Sequence, residues 1–199
     1  MILVRQNRKT ISITLSENGE VIIKAPYFVS EAKVYSFVSE KQSWIAKQQQ
    51  KIKERNDKLN SFDFVNFVYI NGQKYNWNEI TQGKRKSKAT FYTKEFNENV
   101  IERAEKWASL FDKKIYFKLC NSKCIWGSCN AKNIIKLNWK MIILPVELQD
   151  YIIVHELCHT RQLNHSPKFW GEVAGFLPNY KLLKNRLKEY SFILKTPVI

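Results

Sequence analysis

Apolar and polar residues alternate with a period of two over residues 10–15, where Ile11, Ile13 and Leu15 share one face, and that alternation predicts a β-strand. Asn18-Gly19 supplies a turn, and residues 21–25 return as a second strand ahead of Pro26, completing a β-hairpin. From Ser30 to about Leu59 the composition becomes helix-forming. Val34, Phe37, Val38, Trp44 and Ile45 form its apolar stripe, which predicts one or two helices. A second hairpin is predicted at residues 67–70 and 73–77 around Asn71-Gly72, with a further strand near residues 90–93. Residues 96–111 place Val100, Ala104, Trp107, Ala108 and Phe111 at helical spacing. Residues 115–119 and 134–138 read as strands joined through a loop at Trp126-Gly-Ser-Cys129, and helices follow to about Tyr190.

Strands and helices mixed in this way, without a repeating βαβ rhythm, predict an α+β fold. No Gly/Ser/Pro-rich joint interrupts the chain, so residues 1–199 are expected to form one domain. A soft lobe boundary is expected near residue 95, with a β-rich half over 1–95 and a second half over 96–195.

The stretch after Pro145 has no glycine and carries Leu148, Tyr151, Ile152 and Ile153 at helical spacings, which predicts one buried helix over residues 146–163. All three histidines of the chain fall on it or just beyond, in His155-Glu-Leu-Cys-His159-Thr-Arg-Gln-Leu-Asn-His165. On a helix, positions i and i+4 differ by about 40° of rotation and one turn of rise, so His155 and His159 project toward a common point. Glu156 lies about 100° round from His155, better placed to reach a water on a metal than to ligate it. A continuing helix would swing His165 away, so the chain must turn. Asn164 is a candidate for a left-handed helix end, and Ser166-Pro167 supplies an N-cap and N1 proline for the next helix.

Three neutral imidazoles leave one position of a tetrahedral zinc site open, the mark of a catalytic rather than a structural ion. Zinc lowers the pKa of a water there to roughly 7, and Glu156 is the candidate general base that takes its proton. That chemistry suits hydrolysis of a peptide bond. Glu172 and Glu189 are candidate carboxylates to orient a ligand imidazole or to replace His165, and Tyr151, Arg161 and Tyr180 are candidates for oxyanion stabilisation.

Trp126-Gly-Ser-Cys129, Ile135-Lys-Leu-Asn-Trp139, Leu144-Pro145, residues 150–159, Asn164-His-Ser-Pro-Lys-Phe-Trp170 and Pro178-Asn-Tyr180 together closely resemble the YgjP-type metallopeptidases, relatives of the SprT and WLM zincins. The resemblance extends more loosely to Arg5-Gln-Asn-Arg8 and Trp44-Ile45. It implies a zincin-like catalytic half, a zinc-dependent peptidase, ligands His155, His159 and His165, and the base Glu156. One position departs: where the family usually carries arginine before Trp-Gly-Ser-Cys, this chain has Ile125, so Arg161 or a nearby lysine would have to substitute. The histidine spacing is also similar to that of the metzincins, but Gln162 stands at their glycine position.

Composition changes the picture little. The 44% of hydrophobic residues suits a globular chain, and no apolar run reaches the roughly 18 residues that span a bilayer, so no membrane association and a cytoplasmic location are expected. Cys120, Cys124 and Cys129 lack the spacing of a zinc ribbon, and Cys158 reads as core. The net charge of +15 is spread evenly, with an excess of three or four basic residues in each quarter. The dense run Lys84-Arg-Lys-Ser-Lys88 is either a solvated loop or a weak nucleic-acid contact. Expected partners are therefore a protein or peptide substrate and, weakly, nucleic acid. Two further readings stay open: a deformylase-like amidase with Cys129 in place of His165, and a nucleic-acid-binding module in which zinc only staples the fold. Residues 134–138 are either an edge strand beside the metal, able to pair with an extended peptide, or an internal strand paired on both sides.

Overall fold

The computed structural model describes residues 1–198. The chain divides into two compact units between Phe62 and Asp63, upstream of the expected boundary near residue 95. The second hairpin belongs with the second unit because its tip bonds into that unit's backbone.

In the first unit, β1 (Ile2–Gln6) pairs in parallel with β3 (Val21–Pro26), and β2 (Ser12–Leu15) pairs antiparallel on the other side of β3. Two helices follow, α1 (Glu31–Glu40) and α2 (Gln42–Asn60), the first capped by Ser30, whose hydroxyl accepts from the Lys33 amide. Ile23 and Ala25 from the sheet and Val34, Val38 and Ile45 from the helices form the core. The predicted hairpin and helices are found. Trp44, placed in the apolar stripe, is 45% exposed instead.

The second unit opens with the hairpin β4 (Phe67–Ile70) and β5 (Gln73–Asn76). Asn71 at φ 53° and Gly72 at φ 80° give the tip the left-handed pair that a two-residue turn requires. Gly72 is also a point of close approach, because an added Cβ would lie 3.1 Å from Pro145. The amides of Asn71 and Gly72 donate to the carbonyls of Ile142 and Ile143. Gln149, fully buried, completes the dock by donating to Asn71 Oδ1 and the Leu144 carbonyl while accepting from Arg103.

Then come α3 (Trp77–Thr81), α4 (Lys88–Glu95), a π-helical turn (Phe96–Ile101) and α5 (Glu102–Ala108). Residues 90–93, expected as a strand, lie in α4. Ser87 caps that helix, and Tyr92 and Phe96, four apart, are both buried as a helical pair. The expected helix over 96–111 is present in part, with a π turn first and its end at Ala108.

The three-stranded sheet of this unit has the order β6 (Tyr116–Cys120), β8 (Ile134–Asn138), β7 (Gly127–Cys129), with β6 parallel and β7 antiparallel to β8. Two expectations change here. The Trp126–Cys129 run supplies a short strand rather than only a loop, and β8 is internal, so the edges of the sheet are β6 and β7. A 3-10 turn (Trp139–Ile143) leads into α6 (Val146–Cys158), followed by α7 (Pro167–Phe176), α8 (Tyr180–Glu189) and a last 3-10 turn (Ser191–Leu194). The architecture is α+β. No helix among the described residues is long and apolar enough to cross a membrane.

Candidate metal centre

Helix α6 is buried on nearly every side, with Leu148, Tyr151, Ile152, Ile153, Val154, Leu157 and Cys158 all in the core. It ends at Cys158, five residues before the expected end. Thr160 folds its hydroxyl back onto the Leu157 carbonyl, the amides of Arg161 and Gln162 both close on the Cys158 carbonyl, and Lys113 Nζ bonds the Thr160 carbonyl. The turn needs no left-handed residue, and Asn164 is not among those with positive φ. Beyond it Ser166 caps α7 by accepting from the Phe169 amide, and Pro167 stands at N1, as the sequence predicts.

This early turn brings His165 back against α6. The Nε2 atoms of His155 and His165 lie 3.1 Å apart, and the ligating atoms of His155, His159 and His165 all fall within 4.8 Å of one another. Two tetrahedral ligands at about 2.0–2.1 Å from one zinc ion are about 3.3 Å apart, so the arrangement suits a shared ion. His159 Nδ1 is held 3.0 Å from the Gln162 carbonyl, which fixes that nitrogen as the N–H and leaves Nε2 with a free lone pair. Burial first, then the neighbouring His159, His165 and Lys184, pushes His155 down to about 3, and burial also lowers His165. Both rings are thus neutral donors at neutral pH, the form a metal requires.

Side chains from α7 back all three rings. Phe169, fully buried, stacks on His159 at 4.4 Å and meets His155 and His165 edge-on at 4.9 Å each. Trp170 stacks on His165 at 5.5 Å and on Tyr180 at 5.4 Å, and Lys184 Nζ sits 4.0 Å from the Trp170 ring. The spacing of these aromatics signals only helical core. Their role against the imidazoles depends on a turn the sequence does not reveal. The same holds for Gln162, whose carbonyl contribution is invisible in side-chain chemistry.

Glu156 is 7% exposed, and burial pushes its carboxyl up to about 8. Strand β7 presses on it: an added Cβ at Gly127 would lie 2.7 Å from Glu156 Cγ. Glycine is therefore needed for the strand to pass over the helix at this point. Tyr151 sits one turn before His155, and burial, with Glu156 and Tyr180 adding, pushes its phenol up to about 12.

Other sequence candidates separate from the cluster. Cys129 lies outside the gathered donors and contacts the Asn130 carbonyl, so it is not placed as the cysteine ligand that an amidase of the deformylase kind needs, and burial together with Glu156 pushes its thiol up to about 11. Glu172 makes no hydrogen bond to any of the three rings, and its Oε2 is buried without a partner, as is His155 Nδ1. Glu189 is exposed at the end of α8. The Arg161 guanidinium lies over Phe111 at 4.4 Å and reaches the Leu110 carbonyl.

Over residues 9–89 and 78–190 the sequence matches the YgjP-like metallopeptidase domain. The chain belongs to the YgjP-like metallopeptidase family. Among solved structures, that of the metallopeptidase zymogen of Pyrococcus abyssi abylysin is similar at 25% identity and a TM-score of 0.39, covering 45% of this chain and 90% of that one. No curated protein matches the sequence. As a metallopeptidase the protein uses a metal ion and acts on a protein or peptide substrate, and the histidine triad is positioned to hold such an ion.

Proposed function

We propose that this metallopeptidase holds a zinc ion on His155, His159 and His165 and cleaves peptide bonds with Glu156 as general base. The observation that carries the reading is the convergence of three imidazoles from α6 and the turn beyond it, beside a buried carboxyl that is not one of the donors. Zinc bound there would polarise a carbonyl and lower the pKa of a water at the open position. Glu156 takes the proton from the attacking water and passes it to the departing amine. Burial raises this carboxyl in the free protein, and a neighbouring dication favours its ionised form. Tyr151, protonated across the neutral range, is the donor best placed to steady the developing oxyanion, since it shares a cavity with His155 and Glu156. Of the two edge strands β6 and β7, β7 runs against Glu156, and its outer edge is where an extended peptide would pair.

Glu156→Gln tests the assignment. The variant is expected to keep one zinc per chain and the wild-type thermal midpoint, while peptide hydrolysis falls by about 10²–10⁴-fold or more. Undiminished turnover removes Glu156 from the mechanism.

A further inference from the structure

A cavity of 280 Å³ adjoins the catalytic end of α6, and its composition bears on which peptides are cleaved. His155 and Glu156 form one side. Ile125 and Trp126, entering β7, Ile152 on α6 and Leu187 on α8 form apolar walls. No lysine or arginine lines it among the described residues. Small-molecule sites run to about 300–1,000 Å³, so this volume suits a single side chain better than a whole ligand.

We propose that this cavity receives an apolar side chain of the substrate, from a residue flanking the cleaved bond, and that Ile125 sets the preference. The inference rests on the peptidase reading for what is delivered to the site. A peptide whose carbonyl lies beside His155 and Glu156 carries a neighbouring side chain within reach of these walls. An apolar side chain exchanges water for Ile125, Trp126, Ile152 and Leu187, whereas a charged one loses its hydration and finds no basic partner. Its nearest carboxyl is Glu156, which repels acidic side chains once ionised. Ile125 is 45% exposed and makes one wall from outside the core, so its exchange alters the cavity without opening the interior.

The test is a randomised peptide library exposed to the zinc-loaded full chain, with cleavage sites read by mass spectrometry and bound peptides read separately from the Glu156→Gln variant, which retains ligands without consuming them. Wild type is expected to enrich Leu, Ile and Phe over Glu and Lys at one position beside the cleaved bond by roughly 10-fold or more. Ile125→Arg should shift that position toward Glu and Asp, and Ile125→Glu toward Lys and Arg, with zinc content unchanged and the change carried mainly in KM. Should an Ile125 variant fail to fold, Leu187→Glu on the α8 wall carries the same expectation as Ile125→Glu. Cleavage without side-chain preference, or a preference that none of these charges moves, overturns the pocket and leaves the peptidase reading standing. Absence of cleavage with apolar peptides still retained, and the retention switched by charge at Ile125, overturns the peptidase reading and leaves the pocket standing.

Discussion

His165 is the least secured of the three imidazoles, since it is exposed and lies beyond the helix that carries the other two. What aims it is the stack on Trp170, which itself stacks on Tyr180 and has the Lys184 ammonium against its ring, together with the contact of Phe169. Trp170 is thus a positioning residue. Trp170→Ala is expected to weaken zinc affinity by about 10–100-fold, the usual effect of removing a support behind a ligand, while Trp170→Phe keeps most of it. Competition with a chromophoric chelator measures both, and equal affinity in the alanine variant would remove the role. Gly127 acts at the same scale through absence, leaving the space that Glu156 fills. Of this site, the three histidines and Glu156 are legible in the sequence because helical spacing alone aims two rings and sets the carboxyl apart. Gln162, Phe169, Trp170 and Gly127 are not, because their contributions are a backbone carbonyl, two ring faces and a missing Cβ.

Elements defined by local periodicity and turn chemistry were readable: the two hairpins, the helices after Ser30 and the capped start of α7. Those decided by tertiary contacts were not. Residues 90–93 look strand-like because Phe91, Tyr92 and Thr93 favour strands, but Ser87 and the Tyr92–Phe96 pair draw them into α4. The end of α6 is set by hydroxyl, amide and Lys113 bonds that no apolar pattern records. The last turn has a similar device in Lys140, 6% exposed, whose ammonium donates to the carbonyls of Ile193, Leu194 and Thr196 at 3.2, 2.9 and 2.7 Å. Burial lowers the pKa of this lysine, and the three carbonyls satisfy its donors. Lys140→Met strips the carbonyls of Leu194 and Thr196 of their partner and leaves that of Ile193 with the Thr196 amide alone, and is expected to cost about 2–3 kcal/mol of stability. Chemical denaturation measures this, and limited proteolysis should then release the C-terminal turn first. An unchanged midpoint would show that the contact is not needed.

Along the whole chain the charge of +15 is spread evenly rather than concentrated in one segment. The one dense basic run is partly used internally, since Lys88 Nζ donates to the carbonyls of Phe64, Val65 and Phe67 and lies 5.5 Å from the Trp77 ring. Nucleic acid is therefore expected to bind weakly and without sequence preference, with retention on a filter at about 50 mM salt and loss by about 200 mM. Tight binding at the higher salt would require a dedicated surface. The proposed chemistry requires one ion held by three rings in a chain with four unpaired cysteines that could compete for it. X-ray absorption at the zinc edge, with metal analysis of the purified full chain, tests that directly. One zinc per chain with nitrogen ligands at about 2.0–2.1 Å, lost on replacing His155, His159 or His165 with alanine, is the predicted result. A chain that takes up no zinc, or a spectrum dominated by sulfur at about 2.3 Å, would contradict it.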